Sequence, residues 1–518
     1  MTTISACLIV RNEEQILDAC LEALGPFVDE ICVVDTGSTD RTFQIAEASG
    51  AKLERFVWID DFAAARNACL NLATSDWILS VDADEILDPE SAEGLRLLLE
   101  HSDAQAYLVW LDNLDGGSDA NGRPSMNSVG IPRLFRRRPE IHWKRPVHES
   151  VMISLLALGA GVLEHSHLRL VHHGYLPEAI RVGKKHERNL RILEAQHERE
   201  PDDLFNTFKL ASTQRALSNE DRACKLLTGA WSQARNQTAR QRAELPFLPL
   251  AASELIRLLS AKGEQSRAWQ VAQEALADYP TVSEVLYRAG EVQRCVGSLE
   301  RASELYVAAL GCEAWTDLYA GEPSSRGHWA HFGLARVSAL AGDLELSLTC
   351  VERGLQMMPN SIEGRGLATR LMSASGSEVE AWRTLDQLLE EAPGNPHVLL
   401  LAAEMAWAKC EVQMARGFWS AALALPSSRQ AARAWLAMAD LADGDFASAS
   451  EHGKLLLAAD LPEAGALAVL ANVAEGPLLL DPLFNAAAVA GEVRTWLIEL
   501  EKDERGLALA AFAKGSPV

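Results

Sequence analysis

From about residue 200 onward small residues recur in matching helical contexts: Ala223, Ala268, Ala302, Ser347, Ala381, Ala415 and Ala449. The steps between them are 45, 34, 45, 34, 34 and 34 residues. A repeating step of this length means that one helical hairpin is reused, because each unit buries its apolar face only against its neighbours. Each 45-residue step is one 34-residue step with 11 residues inserted. Pro280, Pro359 and Pro393 each lie 12 residues after one of the small positions, where a second helix would end. A small side chain at the recurring position lets two helices approach closely. A generic alanine-rich bundle is the alternative, and it would have no reason to hold the phase.

The 34-residue step is the tetratricopeptide period, so residues 196–518 are expected to form an all-α tetratricopeptide-repeat solenoid. The chain has 518 residues, too many for one core. The first 110 residues have a different pattern, alternating strand and helix. Ile4–Val10, Glu30–Val34, Lys52–Val57 and Trp77–Val81 read as strands, and Glu13–Leu24, Arg41–Ser49 and Phe62–Ala73 as helices, with Asp40 and Asp61 as caps. This order implies a mostly parallel sheet covered by helices on both faces, in a domain spanning residues 1–195. Residues 112–130 read as a polar, Gly-rich loop. Strand-like pieces follow at Leu134–Phe135 and near Val147. His172 and His173 come next, then a helix from Pro177 to about Glu198.

A net charge of −24 argues against nucleic acid as a partner, since phosphate neutralisation needs a basic surface. It leaves a phosphorylated ligand open, because a bound cation can supply positive charge locally. The nine cysteines show no paired spacing, which suggests a reducing, cytoplasmic setting. No apolar run is long enough for a membrane span. The N-terminal apolar run lacks a basic leader and reads as a first strand rather than a signal peptide.

Four segments carry a family resemblance: Cys7–Glu14, Val33–Asp40, Phe62–Asn67 and Val81-Asp82-Ala83-Asp84-Glu85. Over residues 1–195 the chain resembles family 2 glycosyltransferases of the GT-A fold. Within them it is similar to the branch that joins this α/β domain to tetratricopeptide repeats, which includes bacterial bacteriocin S-glycosyltransferases. The resemblance implies metal-dependent transfer of a sugar, with inversion, from a nucleotide diphosphate, by family habit a UDP-sugar. It implies Mn²⁺ or Mg²⁺ as cofactor. Asp82 and Asp84 are hard oxygen donors suited to such a cation. The family pattern puts Asp82 on the ribose side and Asp84 on the metal, with Ala83 between them at the donor.

Asp35 ends the second strand, at the edge where open α/β sheets bind ligands. The resemblance gives it the base or ribose, and Gly37 would let the backbone approach closely. An Asx turn is the plainer reading of this segment. Val10, Arg11 and Glu13 lie on the same edge after the first strand, where a solvated helix start is the alternative. Arg66 belongs to the Arg-Asn pair of the family pattern and is expected at phosphate or base. A late histidine, His172, is expected as a metal or diphosphate ligand, against a purely structural histidine pair.

One-step inversion needs a base for the acceptor proton. Glu149, in Pro146-Val147-His148-Glu149, is the first candidate and Asp112 the second. The basic cluster Arg136-Arg137-Arg138 with Lys144 and Arg145 reads either as an anion-attracting patch or as a charged edge strand. The expected acceptor is a peptide, a protein or a glycan, with the repeats either recruiting it or forming a homodimer. Two other functions compete. One is a repeat scaffold with a non-catalytic nucleotide-sugar-binding domain. The other is a nucleotidyltransferase, but that would show a Gly-rich basic loop after the first strand, where Arg11-Asn12-Glu13-Glu14 stands instead.

Overall fold

The computed structural model describes residues 2–118, 124–159, 162–172, 178–243, 245–312, 323–425 and 428–443, with Ser448 and His452. The chain divides into two compact units, Met1–Leu226 and Leu227–Val518.

In the first unit β1 (Ile4–Val10), α1 (Leu17–Leu24), β2 (Glu30–Asp35), α2 (Thr42–Ala48), β3 (Lys52–Arg55), α3 (Phe62–Leu72) and β4 (Trp77–Ser80) follow the expected alternation. Next come β5 (Glu85–Leu87), α4 (Pro89–Ala92), α5 (Leu95–Glu100), β6 (Ala106–Ser118), β7 (Pro124–Arg136), α6 (Met152–Leu156) and β8 (Leu163–His172). Two helices, α7 (Glu178–Arg199) and α8 (Leu204–Ala216), complete the unit. Among the described residues the strands form one sheet, in the order β3-β2-β1-β4-β7-β6-β8-β5.

The sheet is parallel through β3-β2-β1-β4, as a βαβ pattern requires, and becomes mixed beyond β4. β1 shows why its sequence is apolar on both faces. Ile4, Ala6, Leu8 and Val10 pack with Leu17, Cys20, Leu21 and Leu24 of α1. Cys7 points the other way and packs with Ala63 and Cys69 of α3. A strand buried on both sides shows no polar alternation. Asp61 caps α3 as expected, its carboxylate accepting the Ala64 amide.

Three expectations need correction. The described parts of the expected 112–130 loop, residues 112–118 and 124–130, are strand: β6 and β7 pair through Asp112↔Ser128 and Asn113↔Asn127 as an antiparallel ribbon. The ladder is made by backbone groups, and so tolerates a polar sequence. The basic cluster does not sit on an edge strand, because β7 lies between β4 and β6. Its Arg136 packs over the Trp77 ring and donates to the Ala104 and Ser102 carbonyls. Near Val147 there is no strand, only the antiparallel bridge Lys144↔Ser150. His173 and Ala449 lie outside the described residues.

The chain continues through α9 (Glu220–Arg235), α10 (Ala239–Ala243), α11 (Leu248–Ala261), α12 (Gln265–Asp278), α13 (Ser283–Cys295) and α14 (Leu299–Leu310). It then forms α15 (His328–Leu340), α16 (Leu344–Met357), α17 (Ile362–Ala374), α18 (Glu378–Glu391), α19 (Pro396–Ala408), α20 (Val412–Leu423) and α21 (Arg429–Asp443). The recurring small residues Ala223, Ala268, Ala302, Ser347, Ala381 and Ala415 fall on α9, α12, α14, α16, α18 and α20, and each is fully buried. The helical hairpins therefore repeat in the phase read from the sequence. The first insertion contains the short helix α10. Tyr306 of α14 is wedged between Gly290 of α13 and Gly333 of α15, where a Cβ on either glycine would come within 2.7 Å of the ring. Among the described residues no helix is long and apolar enough to cross a membrane.

Candidate active site

The parallel strands deliver their carboxyl ends to one edge, and the candidate residues gather there. Val10 and Asp35 pair across β1 and β2. Asp82 and Asp84 follow β4 in a turn closed by the Glu85 amide on the Asp82 carbonyl, 3.0 Å. Because β4 ends at Ser80, the two aspartates are freed from strand geometry and splay to different partners.

Asp82 is held between two guanidinium groups. Arg66 Nη2 donates to its Oδ1 at 2.7 Å, and Arg133 Nη2 to its Oδ2 at 2.7 Å. Burial alone would raise this carboxyl, but Arg133 and Arg66 outweigh burial and hold it well below the usual carboxylate range. Each Asp82 oxygen thus accepts from one guanidinium, which sets Asp82 apart from Asp84. Glu85, which ends the Val81–Glu85 motif and carried no expected role, lies behind the turn. Its Oε2 accepts the Asp82 amide at 2.8 Å and its Oε1 meets Arg133 at 3.2 Å. Burial raises its carboxyl, Arg133 pulls it back and the Asp82 charge raises it further, leaving it at about 7.

Asp84 points to the other side. Its Oδ2 lies 2.9 Å from His172 Nε2, and His172 Nδ1 lies 3.0 Å from Asn113 Oδ1. When Nδ1 carries the proton donated to Asn113, the Nε2 lone pair faces the same space as Asp84 Oδ2. A spacing of 2.9 Å matches two neighbouring ligands of a hard cation bound at about 2.0–2.1 Å. Among the described residues no three His, Cys, Asp or Glu side chains form a complete protein shell. The donors present are this pair, which suits a cation that takes its remaining ligands from phosphate and water.

Arg66 connects the aspartate turn to the candidate base. It is buried, lies 4.7 Å over the Trp143 ring, and spends its three nitrogens on three partners. Nε donates to Glu149 Oε1 at 2.8 Å, Nη1 to Ser80 Oγ at 3.2 Å, and Nη2 to Asp82. The neighbouring Asn67 exchanges two hydrogen bonds with the Trp143 backbone, at 2.8 and 3.0 Å. The Arg-Asn pair on α3 thus holds the segment that leads to Glu149. Asp112 is placed differently: Arg169 Nε and Nη2 engage it bidentately at 2.7 Å each, and Ser128 donates to its Oδ1. Burial opposes ionisation of Asp112, but Arg169 keeps its carboxyl low. Three hydrogen bonds, from Arg169 and Ser128, thus hold Asp112 in place.

Asp35 forms the Asx turn, its Oδ1 accepting the Gly37 and Ser38 amides at 2.7 Å each. Gly37 has φ +109, and a Cβ there would meet nothing within 4 Å. The Asx turn binds the β2–α2 loop to the β1–α1 loop: Asn12 donates its amide to Ser38 Oγ, and Thr39 donates its own to Asn12 Oδ1. Glu13 donates its amide to Thr42 Oγ1 at 2.7 Å, and Ala83 is buried. Arg11 is exposed on the same edge. Arg188 of α7, another residue the sequence reading missed, lies 4.6 Å over the Phe62 ring at the start of α3. Burial lowers its pKa, Glu149 opposes that shift and the Arg11 charge adds to it.

Arg133, Asn113 and Arg188 meet the site through contacts distant in sequence, and Glu85 through both the nearby Asp82 amide and the distant Arg133. Only Glu85 carried a local signal, as a third acid directly after Asp82 and Asp84.

Residues 5–154 match the family model described as Glycosyl transferase family 2. A TPR repeat-containing protein of Synechococcus elongatus is 38% identical over 40% of this chain and 52% of its own length. The SPbeta prophage-derived glycosyltransferase SunS of Bacillus subtilis is 28% identical over 43% of this chain and 52% of its own. An uncharacterized glycosyltransferase of Rickettsia felis is 34% identical over 21% and 38%. The chain thus spans about half the length of the first two relatives. Among solved structures, a tetratricopeptide repeat protein from Parabacteroides merdae aligns over 48% of this chain and 90% of its own, at 16% identity and a TM-score of 0.38.

Proposed function

We propose that the chain is an inverting glycosyltransferase that moves a sugar from a nucleotide diphosphate, by family habit a UDP-sugar, to a peptide, protein or glycan acceptor. The observation that carries this reading is the Asp84–His172 pair at the carboxyl edge of a parallel sheet, beside an Asp82 locked between two arginines. The matched family over residues 5–154 supports the same chemistry.

In this reading Asp84 and His172 would hold Mn²⁺ or Mg²⁺, which would supply positive charge to the departing diphosphate. Asp35, Gly37, Arg11 and Val10 line the end of the edge where base and ribose would lie. Asp82 keeps its position through Arg66 and Arg133, and its rigid turn aims Ala83 and Asp84 at the donor. Glu149 takes the acceptor proton through Oε2, since Oε1 receives Arg66. The Arg66 cation also keeps Glu149 and Asp82 from repelling one another across the site. The cysteines are free thiols, which fits a reducing compartment such as the cytoplasm.

Calorimetry with UDP, GDP and their sugar conjugates, with and without Mn²⁺, tests the reading. We expect one nucleotide to bind in the presence of metal and its sugar conjugate to be slowly hydrolysed. Failure of every nucleotide to bind would refute it in favour of a repeat scaffold. Glu149→Gln should bind the donor normally and lose turnover; an unchanged rate would refute the base assignment.

A further inference from the structure

Glu149 sits on a loop whose backbone is under strain. Residues 144–150 are closed at their base by reciprocal hydrogen bonds between Lys144 and Ser150, 3.1 Å each. Inside that closure Arg145 has φ +78 and His148 has φ +54, both in the left-handed region that side-chain-bearing residues avoid. Such a conformation is disfavoured and persists only where its surroundings enforce it. The enforcing contacts can be named. The Phe62 amide at the start of α3 donates to the Pro146 carbonyl at 2.8 Å, Val147 is buried, and Arg66 holds Glu149 itself.

A further contact comes from outside the sheet. Arg145 Nη1 donates to Asp203 Oδ2 at 2.6 Å, and its guanidinium lies 4.2 Å over the Phe205 ring. Asp203 is the N-cap of α8, and its other oxygen, Oδ1, accepts the Phe205 and Asn206 amides at 3.0 and 3.1 Å. One carboxylate therefore starts a helix with one oxygen and grips the loop with the other. Both partners are mostly shielded, at 22% and 19% side-chain exposure, so the pair is stronger than a surface ion pair.

We propose that Arg145 is a positioning residue for the transfer reaction, clamping the 144–150 loop onto the N-terminus of α8 so that Glu149 faces the acceptor. The proposal rests on the reading of Glu149 as the base. Arg145 and Asp203 touch no substrate; they act by keeping Arg145 in its left-handed conformation and so setting the direction in which the chain reaches Glu149. The catalytic loop then depends on a helix that follows the strand-rich part of the chain by some thirty residues.

Two measurements on the full-length protein test this. The variants are Arg145→Ala and Asp203→Asn. The second keeps a good N-cap, since Asn caps as well as Asp, but turns away the guanidinium. Amide hydrogen exchange over residues 144–150 is expected to speed up by about tenfold or more in both variants, with exchange in β1 unchanged. Hydrolysis of UDP-glucose, UDP-N-acetylglucosamine or GDP-mannose with Mn²⁺ is then followed for each variant, alone and combined with Glu149→Gln. With the donor that the wild-type chain turns over, kcat should fall about 10- to 100-fold in either variant while affinity for that donor's nucleoside diphosphate stays constant. In the Glu149→Gln background neither change should cost more, because both act through that residue.

Unchanged loop exchange in both variants overturns the clamp. Faster exchange with an unchanged kcat, or kcat losses that simply add in the double variants, overturns the positioning role. A wild-type chain that hydrolyses none of the three donors refutes the transferase reading and the catalytic half of the proposal with it. The exchange result still decides the clamp.

Discussion

Replacing Glu85 by glutamine isolates the electrostatics of the aspartate turn. Glu85 is almost completely buried, accepts the Asp82 amide and touches Arg133. Burial, reinforced by the Asp82 charge, moves its carboxyl from an ordinary 4.5 to about 7. The folded chain thus binds this proton more tightly than the unfolded chain does. The resulting stabilisation is fully present below pH 4.5 and is lost as pH rises through 7. A change from 4.5 to about 7 corresponds to about 3 kcal/mol of stability lost between those limits. Asp82 acts with the opposite sign, because its carboxyl is lowered. Its contribution is present above the ordinary carboxylate value and is lost only as pH falls below it, so it does not interfere between pH 5 and 8. Glutamine matches the protonated form in size and cannot ionise. Native-state hydrogen exchange of the β1 and β4 amides, followed from pH 5 to 8 and corrected for intrinsic rates, reports the stability of this unit apart from the repeats. Wild type should lose about 3 kcal/mol across that range relative to Glu85→Gln. Parallel curves for the two proteins would refute the assignment of a raised carboxyl to this position.

Four further outcomes follow from the same geometry. Asp84→Ala should weaken Mn²⁺ stimulation of donor hydrolysis by about 100-fold, read from a metal titration of the rate, while leaving the fold intact by circular dichroism. Arg66→Lys keeps the charge but cannot reach Glu149, Ser80 and Asp82 together, and should destabilise the first unit by about 1–3 kcal/mol in the same exchange assay. Asp112→Asn should lower stability by loosening Arg169 yet leave kcat within about twofold, a result opposite to that of Glu149→Gln. Gly290→Ala should cost about 1–3 kcal/mol by pressing on Tyr306, whereas Gly417→Ala, with open space around its Cβ, should be neutral or mildly stabilising in thermal unfolding.

The sequence was most legible where the structure is local or buried on both faces. β1, β2 and β4 are continuous apolar runs, and their shared carboxyl edge follows from the strand–helix order alone. The repeat phase was legible because one geometric need, a side chain small enough to vanish between two helices, recurs at Ala268, Ala302, Ser347, Ala381 and Ala415. The part beyond β4 was not. Whether Asp112-Asn113-Leu114 is loop or strand depends on a partner strand of equally polar sequence, and no periodicity marks that pairing. Arg133 reaches Asp82 because β7 runs antiparallel beside β4, pairing Leu134 with Leu79. Nothing near Arg133 in the sequence predicts that register. The direction taken by Asp82 was also hidden, since a two-residue spacing implies a common face only while the strand continues.

The single guanidinium of Arg66 spans the distance between Asp82 and Glu149. This makes the site non-modular. A designer who wished to retune the donor side by changing Asp82 would leave Arg66 with a surplus charge directed at Glu149. A change of base at Glu149 would likewise be felt in the aspartate turn. Successful redesign would have to replace the three residues as one set, and natural variants at any one of them should come paired with changes at the others.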